Sequence, residues 1–309
     1  MAETNQRTVY GQTLVELCRE NRNILVLDAD LGGSTMGKMV EQALPDQHIE
    51  MGIAEANMAS VAGGLAQVGK IPFINSFAVF AAGRAFDQIR QSISIGKLNV
   101  KIVGSSAGCS DFGDGSTHQS IEDIAIMRAI PNMTVIVPAD ANETAAATRY
   151  MAENKGTMYM RLNRNSYDNV TEEGTPFRFN EPAVVREGSD VTVFACGIMV
   201  GKALEAAELL ADRISVRVVN VSTIKPLNAE KIKEYAKDVR VIVTAEEHSI
   251  VGGLGGAVAE CLRRERVPME FVGVNDRFGE SAHCYADILE RLGLTAAHIA
   301  EAVESIYNG

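Results

Sequence analysis

Short runs of β-branched and other apolar residues alternate with Ala-rich helical segments along most of this chain. The apolar runs lie at residues 24–28, 72–75, 100–104, 134–137, 158–162, 191–196, 215–220 and 240–244. Apolar strands separated by helices of ten or more residues indicate crossover connections and a parallel sheet covered on both faces. The alternation therefore predicts an α/β fold.

A polar, turn-rich stretch interrupts this alternation. Residues 163–190 include NRNSYDNVTEEGTPFRFNEP and lack apolar periodicity, which is typical of a connection between domains. A length of 309 residues also favours two domains. We predict a first α/β domain at 1–175, a linker at 176–187 and a smaller α/β domain at 188–309. Helices are expected after Asp140, where Glu143 three residues later has capping-box spacing, and from about Val200, near 229–237 and from about Thr295.

Charge and cysteine content exclude several functional classes. The chain has 29 Lys and Arg against 40 Asp and Glu, a net charge of −11, which argues against nucleic acid or an anionic membrane as a partner. Five cysteines without a C-x-x-C pair suggest neither a disulfide framework nor a zinc ribbon. No apolar stretch approaches the ~18 residues of a membrane span. A cytoplasmic protein with reduced thiols is expected.

Glu55 is the only charged residue in MGIAEANMASVAGGLAQVG, residues 51–69. The helix that follows is apolar or small on nearly every side, so we expect the helix and Glu55 to be buried. Two interpretations are open at this point. Glu55 either complements the helix dipole at the helix N-terminus or is a perturbed carboxylate that awaits a hydrogen-bond donor from a ligand.

Two further segments combine aromatic, acidic and histidine residues near predicted strand ends, where ligands bind in parallel sheets. In SFAVFAAGRAFDQIR, Phe77 and Phe80 either stack on a flat ring or pack in the core. The loop GSSAGCSDFGDGSTHQ, residues 104–119, is long enough to indicate function. His118 in this loop is either a general acid or base or a histidine bonded to its own loop.

Two apparent motifs are rejected. Gly113, Asp114, Gly115 and Asn142 match the spacing of a metal–diphosphate motif, but AGCSDF is a poor strand and Asn142 fits the first turn of a helix. The run GGLGG at 252–256 does not follow the strand at 240–244 directly and does not match G-x-G-x-x-G. Close backbone packing at a helix start is the better explanation.

Taken together, GIAEANM, SFAVFAAGRAFDQIR, DFGDGSTHQSIEDIAIMRAIPNMTVIVPAD and EEHSIVGGLGG resemble the transketolase family over almost the whole chain. The resemblance covers the pyrimidine-binding domain and the C-terminal domain of the usual enzyme. It implies transfer of a two-carbon ketol unit from a ketose to an aldose, in sugar metabolism of the pentose phosphate kind, with thiamine diphosphate and Mg²⁺ as cofactors. The missing domain holds the diphosphate and metal, so the resemblance implies an N-terminal partner subunit, an α2β2 heterotetramer and no metal ligands in this chain.

The resemblance also assigns residues on the coenzyme side. Glu55 matches the glutamate that hydrogen-bonds N1′ of the aminopyrimidine ring. Phe80 matches the aromatic residue stacked on that ring, with Phe77 beside it. Asp30 and Ser34, in DADLGGS, match a segment that enters the site from the partner half of the dimer, and Asp30 and Leu31 are implied to bind the coenzyme. The catalytic residues implied are Glu55 and His118.

The substrate-binding residues implied by the resemblance are Arg7, Ser34, Ser106, Asp114, His118 and Arg164. Asp114 and His118 match residues that contact substrate hydroxyls, and the arginines and Ser34 match positions that hold a terminal phosphate. Ser106 is a departure, because it stands where the family has a phosphate-binding histidine. The anionic tail of the sugar therefore stays open between phosphate and sulfonate.

Three other functions share part of this sequence pattern. The β chain of a 2-oxo acid dehydrogenase shares the two-domain arrangement, but DGSTHQSIEDIA and the arginine positions favour sugar substrates. A deoxyxylulose phosphate synthase acting alone would need the first domain. A non-catalytic regulatory subunit has no need for Glu55, Phe80, Asp114 and His118 together.

Overall fold

The structure is a computed structural model, and it describes residues 4–309. The strands, numbered along the chain, are β1 (Thr4–Asn5), β2 (Ile24–Asp28), β3 (His48–Glu50), β4 (Ile71–Phe77), β5 (Lys101–Ser105), β6 (Met133–Ile136), β7 (Thr157–Arg161), β8 (Ser166–Tyr167), β9 (Ala183–Arg186), β10 (Val191–Ala195), β11 (Val216–Asn220), β12 (Thr223–Lys225), β13 (Val241–Ser249) and β14 (Met269–Val274).

The α-helices are α1 (Gln6–Glu20), α2 (Gly32–Thr35), α3 (Lys38–Ala43), α4 (Glu55–Gln67), α5 (Phe86–Gln88), α6 (Asp123–Ala129), α7 (Ala141–Glu153), α8 (Met199–Leu209), α9 (Ala229–Ala236), α10 (Leu254–Cys261), α11 (Tyr285–Arg291) and α12 (Ala296–Asn308). Two π-helical segments, Val79–Arg84 and Ile89–Ser94, flank α5. Short 3₁₀ turns lie at Pro45–Gln47 and Gly115–Thr117. No helix between residues 4 and 309 is long and apolar enough to cross a membrane.

The first sheet has seven strands in the spatial order β12-β6-β7-β5-β4-β2-β3. All neighbouring strands are parallel except β12, which pairs antiparallel with β6. Helices α1 and α7 cover one face around buried Leu14, Phe73 and Met151. Helices α4 and α6 cover the other around Met58 and Ile124. Both faces of the sheet are therefore apolar, which explains the unbroken apolar runs in the sequence.

The second sheet has five strands in the order β14-β13-β10-β11-β9, parallel except at β9. Helices α8 and α12 pack on one face through Met199 and Ile299. On the other face, Leu254 of α10 and Ile232 of α9 belong to the same core as Met58 of the first sheet's helix layer. One hydrophobic core thus continues from the first sheet to the second.

The α/β prediction is confirmed. Every predicted strand is present, and all but one begin and end within two residues of the expected positions. The exception is β13, which continues to Ser249 and stays buried as far as His248. Asp140 caps α7 by accepting from the backbone N–H of Glu143 at 2.9 Å, as its spacing predicted. Within the predicted linker, β9 pairs with β11 of the second sheet.

A buried polar cluster joins the two sheets at the end of β13. The Glu247 carboxylate accepts hydrogen bonds from the Cys109 backbone N–H at 3.0 Å, from Asn163 Nδ2 at 3.2 Å and from the Tyr285 hydroxyl at 2.7 Å. Arg161 Nη1 donates to the Glu247 carbonyl oxygen at 3.1 Å. Desolvation by burial outweighs these donors and raises the pKa of the Glu247 carboxyl from its ordinary 4.5 to about 7.

Replacing Glu247 with Gln should remove a pH dependence of stability. Because the folded-state pKa is raised, the folded chain binds a proton more tightly than the unfolded chain between 4.5 and about 7. The contribution of Glu247 to stability is complete below this window and is lost as the pH rises through it. Urea unfolding should show the wild-type free energy falling relative to Glu247→Gln between about pH 5 and about pH 8.

The control is Glu265→Gln, which removes an exposed carboxylate between α10 and β14. Its unfolding free energy should follow that of the wild type across this pH range. A constant difference between wild type and Glu247→Gln would contradict the assignment.

Candidate active site

Glu55 is the first residue of α4, and its side chain is buried with 4% of the residue exposed. Within residues 4–309, no group hydrogen-bonds its carboxylate. Burying a carboxylate without a donor costs several kcal/mol, apart from the modest compensation that a helix N-terminus provides. The Glu55 carboxylate is therefore left without a hydrogen-bond donor inside the described chain, at the N-terminus of α4.

The helix that follows Glu55 is less buried than predicted. Only one face of α4 packs on the first sheet, through Met58, Ala59 and Ala62. The opposite face is exposed, and its residues are Asn57, Ser60, Gly64 and Gln67. The prediction of burial on nearly every side was wrong for the described chain, because small residues such as Gly64 contact nothing on that face.

An aromatic pair lies at the carboxyl end of β4. Phe77 ends the strand, and Phe80 lies in the π-helical segment that follows. The two rings stack with centroids 6.2 Å apart and planes 14° apart. Phe77 is buried, whereas Phe80 is half-buried and has part of its ring free. π-Helical turns often occur at functional sites, because the extra residue shifts the side chains around the helix.

His118 lies against both rings of this pair. Its imidazole meets Phe80 edge-on at 5.5 Å and Phe77 at 6.1 Å between ring centroids. Its Nδ1 is 2.8 Å from the Thr117 hydroxyl oxygen, so one ring nitrogen is bonded to its own loop. The histidine is thus bonded to its own loop with its ring against the aromatic pair, and its role as a general acid or base stays a prediction.

Two arginines meet beside the same aromatic pair. The Arg164 guanidinium carbon is 6.0 Å from the Phe77 ring centroid. Arg7 Nη1 donates to the Ser34 carbonyl oxygen at 2.9 Å. Burial, reinforced by the like charge of Arg164 and opposed by Asp111, lowers the pKa of Arg7 from its ordinary value. Three predicted substrate residues, Arg7, Ser34 and Arg164, therefore lie together.

The remaining predicted site residues sit at strand ends of the same sheet. Asp30 and Leu31 follow β2; Asp30 is exposed and has a positive φ of 58°. Ser106 follows β5, is fully buried, has a φ of 53°, and its hydroxyl has no hydrogen-bond partner within the described chain. Asp114 is exposed and directly precedes the 3₁₀ turn of the loop that carries His118.

Sequence reasoning missed two acidic residues that organise this site. Glu50 Oε1 accepts from the backbone N–H groups of Asp30 and Gly52, both at 2.8 Å, and so links the two loops after β2 and β3. Asp111, 2% exposed, forms an ion pair with Arg164. The only signal for Asp111 was its place in a long glycine-rich loop, because its partner lies 53 residues further along the chain.

Both rejected motifs have the structural role that was expected. Asn142 lies in the first turn of α7 and donates to the Thr171 carbonyl oxygen at 2.7 Å. Gly253 precedes α10, where an added Cβ would lie 1.9 Å from Glu246 Oε2. Glu246 accepts from the backbone N–H of Leu254 at 2.7 Å. Among residues 4–309, no group of three or more His, Cys, Asp or Glu side chains is arranged to hold a metal ion.

The fold defines a two-unit α/β protein with polar and aromatic side chains at one edge of its first sheet. Comparison with known families identifies the units. Residues 2–169 match the transketolase pyrimidine-binding domain, and residues 181–299 match the transketolase C-terminal domain. The chain belongs to the transketolase family.

Several relatives match nearly end to end. A putative transketolase C-terminal section from Methanocaldococcus jannaschii is 44% identical, covering 96% of this chain and 94% of the relative. A 6-deoxy-6-sulfo-D-fructose transketolase subunit from Clostridium sp. is 43% identical over 97% of this chain and 94% of the relative. A solved structure described as a split gene transketolase, inactive β4 tetramer, is 46% identical with a TM-score of 0.89 and 99% coverage of both chains.

Replacing Gly104 with Ala should destabilise the chain, because the added Cβ would lie 2.5 Å from the Tyr159 hydroxyl and 2.9 Å from Cα of Ala78, the residue after Phe77. Overpacking of this kind typically costs about 1–3 kcal/mol. Urea unfolding of the isolated chain measures this loss.

The matched control is Gly83→Ala, close to Phe80, where an added Cβ would contact nothing within 4 Å. Its unfolding free energy should equal or slightly exceed that of the wild type, since Ala is favoured over Gly in helices. Equal unfolding free energies of the two variants would show that Gly104 does not pack closely against Tyr159 and Ala78.

Proposed function

We propose that this chain is the small subunit of a two-chain transketolase. With an N-terminal partner subunit that binds the diphosphate of thiamine diphosphate and Mg²⁺, it transfers a two-carbon ketol unit from a ketose to an aldose. The observation that carries the proposal is Glu55, a buried carboxylate without a donor inside the described chain, on the sheet edge that also carries the aromatic pair.

The residues of this edge fit the aminopyrimidine end of the coenzyme. A ring nitrogen would supply the hydrogen-bond partner that Glu55 lacks, and a flat ring would cover the free part of Phe80. Asp30 and Leu31, at the end of β2, are assigned to the same coenzyme site. Thiamine diphosphate, when bound, supplies the carbon nucleophile and electron sink for the reaction.

Glu55 then acts as a fixed charge that holds the proton on the ring nitrogen. Its burial strengthens this interaction, because little water competes inside the site. His118, held by Thr117 with its ring edge against the aromatic pair, is placed to exchange protons with a substrate hydroxyl. Asp114, on the same loop, would contact further hydroxyls of the sugar.

The substrate's charged end is assigned to Arg7, Ser34 and Arg164. Guanidinium groups bind oxyanions with paired N–H donors, so two of them beside the aromatic pair suit an anionic sugar tail. The tail would thus lie at one end of the site and the reacting carbons near His118.

Assembly completes the site in this proposal. The exposed face of α4, flanked by Ile53 at 78% and Val68 at 76% exposure, is the surface we assign to the partner subunit. Two copies of each chain would form an α2β2 heterotetramer. All five cysteines are free thiols, which supports a reducing, cytoplasmic location.

Reconstitution tests the proposal directly. The isolated chain should neither bind thiamine diphosphate tightly nor transfer ketol units, because Glu55 contacts only one end of the coenzyme. Mixing with a polypeptide that carries the diphosphate-binding domain should produce both properties, measured by calorimetry and by a coupled ketose–aldose assay. Tight binding of coenzyme and Mg²⁺ by the isolated chain would contradict the split site, and release of carbon dioxide from a 2-oxo acid would indicate dehydrogenase chemistry.

Replacing Glu55 with Gln keeps the shape of the side chain and removes its charge. In the reconstituted complex we expect kcat to fall by about 10²–10⁴-fold, the usual effect of losing a positioned acid–base group. Glu265→Gln, an exposed substitution of the same kind, should leave kcat unchanged. Activity of Glu55→Gln within twofold of the wild type would return Glu55 to a purely structural role at the start of α4.

A further inference from the structure

Asp111 is a buried acid that contacts Arg164, one of the two arginines assigned to the substrate's charged end. Its carboxylate Oδ2 pairs with Nη1 of Arg164, and only 3% of its side chain is exposed, against 29% for Arg164. The carboxylate is also close enough to oppose the effects that lower the pKa of Arg7. The group of side chains assigned to the anionic tail therefore contains two guanidinium groups and one fixed carboxylate.

Neighbouring segments contribute further charged or titratable side chains around these three residues. His118 faces the aromatic pair, and Asp114 is exposed on the same loop. Arg277, whose charge opposes the rise in the pKa of the nearby Cys109 thiol, forms an ion pair with Glu280. Its Nη2 lies 3.2 Å from Glu280 Oε1. Arg161 and Glu247, which also act on the pKa of the Cys109 thiol, are the buried charges nearest to this group, and Arg161 forms an ion pair with Asp123 at 3.0 Å. The side chains of Arg7, Arg164 and Asp111 themselves carry a single net positive charge.

A single positive charge matches a singly charged ligand group better than a doubly charged one, because the second negative charge of a phosphate would face the Asp111 carboxylate. A sulfonate carries one negative charge at all ordinary pH values, whereas a phosphate monoester carries between about 1.5 and 2 at pH 7. Desolvated like charges at close range are destabilising, and the buried position of Asp111 reduces screening by water.

We propose that Asp111 sets substrate specificity by reducing the charge of the Arg7–Arg164 pair, so that the site prefers ketoses with a singly charged tail, of the sulfonate class, over sugar phosphates. This inference rests on the proposed transketolase function. Asp111 acts through Arg164, so it is a specificity-determining residue rather than a catalytic residue. Ser106, a neutral residue buried after β5, adds no positive charge that would offset the carboxylate.

The test uses the reconstituted complex and two donors that share a carbon skeleton, fructose 6-phosphate and 6-deoxy-6-sulfofructose. The wild type should have the higher kcat/KM for the sulfonate. Asp111→Asn should shift the ratio of kcat/KM values toward the phosphate by about tenfold or more, equivalent to about 1.4 kcal/mol. The change should appear mainly in KM, because the tail is remote from the reacting carbons.

Asp168→Asn is the matched control, since it removes an exposed carboxylate four residues after Arg164 and outside the site. It should leave the ratio within twofold of the wild type. An equal loss of activity on both donors in Asp111→Asn would show that Asp111 only positions Arg164, and would overturn the inference.

A second measurement needs no variant. The second pKa of a sugar phosphate is about 6, so its tail gains a charge between about pH 5.5 and about pH 7.5, whereas the sulfonate does not change. The wild-type ratio of kcat/KM for phosphate over sulfonate should fall across this range, because only the phosphate tail gains a charge. A ratio that stays constant or rises would overturn the inference. No transfer from either donor would instead count against the proposed function, which separates the two failures.

Discussion

The parallel pairing of β2, β4, β5 and β7 is the constraint on which the site depends. Each of these strands ends at the same edge of the first sheet, and each has a residue assigned to the site at its last position or within three residues after it. Asp30 follows β2, Phe77 ends β4, Ser106 follows β5 and Arg164 lies shortly after β7. Residues far apart in the sequence thus converge because parallel strands share one direction.

The features that depend on local sequence could be predicted well. Apolar runs gave the strands because both faces of a parallel sheet are covered, and the spacing of Asp140 and Glu143 fixed the start of α7. The isolation of Glu55 among apolar and small residues indicated its burial. The aromatic pair and His118 could also be predicted as site residues, since they lie in segments that follow predicted strands.

The features that depend on distant contacts could not be predicted. Asp111 has no local pattern that points to Arg164, because the ion pair forms only when the loop after β5 meets the segment after β7. Glu247 appeared to lie in a connection, yet it is buried in a strand and held by donors from three separate segments. The exposed face of α4 was also missed, because small residues are equally common in packed and open helices.

The antiparallel pairing of β12 with β6 has a consequence for how this polypeptide tolerates division. Strand β12 (Thr223–Lys225) lies beyond the polar connection in the sequence, yet it is an edge strand of the sheet that carries the site. A gene cut in the middle of that connection would leave the backbone of β6 bare, and bare sheet margins recruit other chains into aggregates. The two units are therefore expected to remain on one polypeptide in any natural or engineered rearrangement of this enzyme.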